Sequence, residues 1–182
     1  VKGSFGTGFT TPTLYQIYIN GDMNNGLKAE TSHGYDLGVE FRPTASSLIV
    51  LSYFNTTYKN MIDYYWDPIT YEGEYRNLDR AKIKGVELVG SVEFIDQWVL
   101  SGSYTYLDAK EKKSSKDYQR MLQRPRHQVT TNVTYKPLQN LSLNASAIYY
   151  SNRIGYGDVD LKSFTLFDIA GSYKINKTFE VD

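Results

Sequence analysis

Cysteine is absent from the 182 residues, which excludes disulfides, thiolate metal sites and cysteine nucleophiles. Net charge is absent as well. Twenty Lys and Arg balance twenty Asp and Glu, so there is no electrostatic footprint for nucleic acid. The basic residues are scattered, and the one short cluster, Lys110 to Lys116, is interrupted by Glu111. Histidine occurs only at 33 and 127, and no local spacing suggests a Ser/His/Asp set. No apolar run approaches the ~20 residues of a membrane helix, and the mean hydropathy is −0.47. That last absence leaves a membrane open. A spanning strand needs only about 9–11 residues, and half of them face away from lipid.

What the chain has is tyrosine, 17 residues of it. Tyr suits half-buried strand surfaces and membrane interfaces, where the ring is covered and the hydroxyl stays wet. It also has alternation. In Asn77 to Phe94, Val86, Leu88, Val92 and Phe94 point one way and Glu87, Ser91 and Glu93 the other. That is one long strand with an apolar side and a charged side. Thr31 to Arg42 repeats the pattern, with Tyr35, Leu37, Val39 and Phe41 opposing Gly34, Asp36, Gly38, Glu40 and Arg42. A charged face of this kind suits a water-filled interior better than a packed core.

The expected strands run over 2–9, 31–42, 47–62, 74–95, 98–108, 126–136, 141–150 and 163–175, with a ninth beginning near 178. Leu14, Tyr15 and Tyr18 suggest one turn of helix in the first connection. The connections alternate between long and short. The long ones are Thr10 to Glu30, Asp63 to Gly73, Ala109 to Arg124 and Ser151 to Lys162. The short ones include Pro43 to Ser46, Asp96 with Gln97, and Pro137 to Asn140. In an up-and-down meander, alternate connections fall at the same end, so all the long loops sit at one end. Outer-membrane barrels sort their loops in this way. The start at Val1, without a leader pattern, and the strand onset at Thr178 to Asp182 suggest a segment of a longer polypeptide.

Several motifs carry a family resemblance: KGSFGTGFTTPTLYQIY (2–18), LKAETSHGYDLGVEF (27–41), SYFNTTYKNMIDY (52–64), Asn77 with Ala81 and Gly85-Val86-Glu87, and QRPRH at 123–127. In order and spacing they resemble the C-terminal part of the β-barrel of TonB-dependent outer-membrane receptors, over nearly the whole chain. The resemblance implies an all-β, antiparallel up-and-down meander of about nine strands. These would belong to a 22-stranded transmembrane barrel, with the plug and closing strands absent from these 182 residues. It also implies residence in the bacterial outer membrane, contact with outer-membrane lipid, and transport rather than catalysis. The imported ligand would be a siderophore, haem or cobalamin-like molecule. TonB would be reached only through an N-terminal part, and the sheet edges of an isolated segment would invite self-association. No cofactor is expected.

The candidate ligand-binding residues come from chemistry. Tyr64, Tyr65, Trp66, Tyr71 and Tyr75 gather around one loop, where aromatics can stack on a ligand's rings. Tyr15 and Tyr18 join them, with Arg120 and Arg153 for an anionic ligand. The competing reading makes these tyrosines an outer aromatic girdle. Asp158 and Asp160 offer too few oxygens for calcium, so no metal site is assigned. His127 reads as part of a hydrogen-bond network, with haem ligation as the alternative. Two other architectures share the alternation: a complete eight-stranded membrane barrel, structural or lipid-modifying, and a soluble sugar-binding sandwich.

Overall fold

A computed structural model describes residues 1–19, 26–67, 69–112, 117–175 and 180–181, leaving aside the side chains of 79, 180 and 181. The strands are β1 (Lys2–Thr10), β2 (Glu30–Phe41), β3 (Ser47–Trp66), β4 (Gly73–Ile95), β5 (Trp98–Lys112), β6 (Gln119–Arg120), β7 (His127–Leu138) and β8 (Leu141–Tyr150). They continue with β9 (Arg153–Ile154), β10 (Asp160–Leu161), β11 (Phe164–Lys174) and β12 (Glu180–Val181). One helical turn, α1 (Leu14–Ile17), is capped by the Thr13 side chain in a reciprocal box with Gln16, which satisfies two otherwise orphaned amides.

The sheet order is β1-β2-β3-β4-β5-β7-β8-β11-β12, with β6 added to β5 and β9 paired to β10 apart. This is the expected meander. Among the described residues β1 and β12 end the sheet without meeting, so it stays open. An open single layer is neither the closed eight-stranded barrel nor the two-sheet sandwich. The expected ninth strand is seen as β12, its first residues lying outside the described ones.

Register shows why one face is apolar. One row across the sheet reads Val39, Leu51, Leu88, Tyr104, Val129, Tyr149; a lower one reads Ser47, Val92, Leu100, Val133, Ala145, Ile169. The opposite face reads Gly38, Ser52, Glu87, Thr105, Gln128 along one row. Among the described residues the buried hydrophobic side chains are Leu78, Ala81, Ala109 and Met121 alone, whereas Phe167 is 77% and Ile169 89% exposed. A soluble chain of this length covers such side chains, so this face calls for a hydrocarbon solvent.

Aromatic rings bound the apolar face at both ends. Near the tight turns Trp98 stacks on Tyr135, with centroids 4.2 Å apart. Toward the long connections Tyr35 and Tyr53 stand 6.1 Å apart, and Tyr104 stacks on His127 at 6.1 Å. From Tyr106 to Trp98 is eight residues, about 27 Å along a strand; tilted by about 35–45° that spans about 19–22 Å, a little under the apolar band of about 25 Å between aromatic girdles.

The largest departure from expectation lies above the upper ring. β3 runs on to Trp66 and β5 to Lys112, while the 23-residue β4 keeps the expected bounds to within one residue. The expected long loops Asp63 to Gly73 and Ala109 to Arg124 are therefore partly ladder, and Ser151 to Lys162 holds the β9–β10 pair. Polar composition suggested loop there, yet cross-strand pairing continues into water.

Candidate functional site

The projecting hairpin of β3 and β4 is held to the connection after β1 by side chains that stand in for a missing ladder. Asn77 receives the Lys28 amide at 2.7 Å on Oδ1, and its Nδ2 donates to the Lys28 carbonyl at 2.9 Å and the Asn60 carbonyl at 2.6 Å. Glu30 accepts from the Ile62 amide at 2.5 Å. Asn60 has φ of 54°, a left-handed conformation that Asn tolerates.

On this platform the structure brings some candidate aromatics together and separates others. Tyr64 and Tyr75 are directly opposite in the ladder, and their rings meet edge-on at 5.4 Å. The Tyr15 ring, carried by α1, meets Tyr75 edge-on at 6.1 Å. These three form one aromatic group on the face of Asn77 and Ile62. Tyr65 alternates to the other face, where the Arg76 guanidinium lies 4.1 Å above its ring and Arg76 pairs with Glu74. Trp66 and Tyr71 are exposed around the 67–72 turn, as is Tyr18 beyond α1. That turn is closed by Asp67, whose carboxylate accepts from Ile69 at 2.8 Å and whose carbonyl accepts from Tyr71 at 3.0 Å. Tyr71 has φ of 58°.

The two arginines lie together at a second junction. Arg120 donates to the carbonyls of Arg124 and Asn152, both at 3.2 Å, which ties the connection after β5 to the one after β8. Burial, and next the charge of Arg126, pull its guanidinium below the ordinary range against an upward pull from Asp160; it remains a cation. Arg153 lies 4.9 Å above the Phe164 ring, which packs on Tyr150 at 5.2 Å. Its Nε is buried without a hydrogen-bond partner. Tyr150 and Phe164 continue the polar row of Glu87, Thr105 and Gln128, so this group looks inward.

Sequence reasoning missed Asn77 as a tether and Phe164 and Tyr150 as partners of Arg153. Asn77 was visible as a motif residue, but its partner Lys28 is 49 positions away. His127 stands in the outward tyrosine ring, with Nδ1 2.9 Å from the Tyr104 hydroxyl and its amide donating to Ser151 Oγ at 3.0 Å. That is the hydrogen-bond network expected of it. Among the described residues no group of three or more His, Asp or Glu is placed to hold a metal.

The polar face carries its own ties. Ser4 bonds Asp36, Lys2 and Arg42 both pair with Glu40, at 3.4 Å and 2.8 Å, and Thr134 donates to Asn144 at 2.7 Å. Such a surface suits a wet lumen or a polar plug.

Comparison with known proteins agrees with this architecture. The family described as TonB dependent receptor-like, beta-barrel matches residues 1–182. The chain is 31% identical over 192 residues to the vitamin B12 transporter BtuB of Photobacterium profundum, covering 100% of this chain and 30% of that protein. It is 23% identical to the ferric enterobactin receptor of Pseudomonas aeruginosa, covering 100% of this chain and 30% of that one. Among solved structures, the copper transporter OprC superposes with a TM-score of 0.81 at 17% identity, over 98% of this chain and 29% of the other. A ferric enterobactin receptor mutant (PfeA) in complex with enterobactin gives 0.78 at 20% identity, over 98% and 31%. The chain thus spans less than a third of the length of these relatives.

Proposed function

Because this chain belongs to the family of TonB-dependent receptor β-barrels, we propose that it is the barrel segment of an outer-membrane receptor importing a scarce ligand such as an iron–siderophore, haem or cobalamin. The observation that carries this reading is the sorted sheet: an apolar outward face between two aromatic rings, a polar inward face, and every long connection at one end. The relatives, a vitamin B12 transporter and a ferric enterobactin receptor among them, support the ligand class.

In this reading the ligand arrives from the side of the long connections. Tyr15, Tyr64 and Tyr75 offer it ring faces and edges, and Arg153 with Phe164 offers a cation against an aromatic. Trp66, Tyr71 and Tyr18 are exposed for first contact, and Tyr65 braces Arg76 on the opposite face. Arg120, spent on two carbonyls, holds the loops that frame the mouth. Energy from TonB enters through a plug in another part of the polypeptide. The edges β1 and β12 pair with further strands in the complete barrel; as an isolated segment they pair with a second copy.

The test is growth of a deletion strain with iron supplied as single siderophores or haem, or with cobalamin as the limiting nutrient. Loss of growth on one source, restored by the full receptor gene, supports import. Parental growth on all of them overturns it.

A further inference from the structure

The outward face changes chemistry where β3, β4 and β5 leave the upper tyrosine ring. It is apolar as far as the row of Tyr53, Val86 and Tyr106. The next outward row is Asn55, Lys84 and Asp108, then Thr57, Lys82 and Lys110, then Lys59, Arg80 and Lys112. Each row is two residues, about 7 Å, further along the strands. With the tyrosines at the interface, these rows stand at the height of lipid headgroups.

The described side chains of these rows carry a strong excess of positive charge. Lys59, Arg80, Lys82 and Lys84 are exposed. Asp108 is the carboxylate among them, 3.9 Å from Lys84 and 3.2 Å from Lys110. The Lys82 ammonium lies 5.0 Å from the Tyr118 ring centroid. Neighbouring strands are about 4.8 Å apart, so the cations form a grid in which two can bridge one phosphate. They look away from the lumen, so a ligand passing through the barrel never meets them.

We propose that Lys59, Arg80, Lys82, Lys84, Lys110 and Lys112 form a binding site for the phosphorylated headgroup of an outer-leaflet lipid, whose acyl chains lie against the apolar rows beneath, beginning with Tyr53, Val86 and Tyr106. Charge complementarity selects the occupant. The basic rows stand directly above the apolar row of Tyr53, Val86 and Tyr106, so headgroup and chain are met in the order in which a lipid presents them. The site goes beyond ligand import and rests only on the membrane placement of the sheet.

The full receptor, purified in a non-ionic detergent, is titrated with one outer-leaflet glycolipid in phosphorylated and dephosphorylated forms, and with inorganic phosphate. The phosphorylated form is expected to bind roughly tenfold tighter or more, less so as salt is raised. The triple variant K59Q/K82Q/K84Q removes most of that difference. The variant Asp108→Asn, which deletes the opposing carboxylate, tightens binding. Equal affinity for the two glycolipids overturns the proposal. Competition by inorganic phosphate at the glycolipid's own concentration also overturns it, since the site would then be one for a free anion. If the triple variant does not fold, Asp108→Asn decides alone, and unchanged or weaker binding sinks the idea. Growth on the imported nutrient, measured separately, reports on the import reading.

Discussion

The ring of Phe54 covers the α-carbon of Gly85. The two are opposite each other in the β3–β4 ladder, and a β-carbon added to Gly85 would lie 2.6 Å from Phe54 Cζ and closer still to the Tyr106 carbonyl oxygen. The aromatic ring fills the space that the glycine leaves, and the backbone of β5 closes it from the other side. Gly85→Ala must therefore displace both a ring and a strand. We expect a loss of about 1–3 kcal/mol, the usual cost of overpacking, read as a lower midpoint of urea unfolding in detergent. Adding Phe54→Leu should recover part of that loss; full additivity of the two changes would disprove the coupling.

Leu88 and Glu87 are neighbours on β4 that face opposite media. Leu88→Arg puts a cation in the apolar band and should cost about 2–4 kcal/mol if near the midplane. Glu87→Arg, on the polar row with Ser52 and Thr105, should cost much less. Folding into vesicles, followed by the slower electrophoretic band of the unfolded form, compares them. Equal penalties would show the face assignment to be wrong.

Asn77→Ala removes two hydrogen bonds between the hairpin and the first connection and one across the hairpin to the Asn60 carbonyl. A part-buried bond to the backbone is worth about 1 kcal/mol, so loosening should be local. Amide exchange should rise around 26–30 and near Asn60, with the unfolding midpoint of the barrel little changed. A uniform rise across the sheet would mean that Asn77 supports the whole fold.

The alternating faces of the projecting hairpin make Tyr75 and Tyr65 an informative pair. Tyr75→Ala takes the central ring out of the Tyr15–Tyr75–Tyr64 group and should weaken uptake of the imported ligand about tenfold, the size of one aromatic contact. Tyr65→Ala removes only the surface beneath Arg76 and should leave uptake near the parental level. Uptake of labelled ligand by cells separates the two, and equal effects would count against the group as a ligand site.

Much of the fold was legible because β2 and β4 alternate cleanly and the connections sort by length. The extension of β5 was harder to read, for a reason that β4, read at its full length, also displays. Up to Val86 the even-numbered residues are the apolar ones: Phe94, Val92, Leu88, Val86. From Gly85 back to Arg80 the apolar residues are odd-numbered, Ile83 and Ala81, while Lys84, Lys82 and Arg80 hold the even positions. The phase of the pattern inverts although the strand runs straight on. The same exchange occurs in β5, where Tyr104 and Tyr106 give way to Leu107 and Ala109. In β5 the inversion falls at the expected strand end, so a search for one continuous phase stops and reads loop. The inward apolar residues of this upper part, Ala81 and Ala109, pack with Met121, whose amide bonds to the Ala109 carbonyl at 3.0 Å. The candidate site was legible in composition only. Tyr64 and Tyr65 are adjacent in sequence yet part to opposite faces, and Tyr15 reaches Tyr75 across 60 residues.

The row of Phe54, Gly85 and Leu107 marks where the inversion happens, and it works as a waterline. Below it the outward residues want hydrocarbon, and above it they want water. If these strands sank by one two-residue step, Lys84 would enter the hydrocarbon; if they rose by one, Tyr53, Val86 and Tyr106 would be lifted out of the interface. Both displacements are penalised within a hairpin, so immersion depth is set by local sequence before any barrel closes. A partly assembled sheet can thus sit at its final height while its remaining strands are still being added.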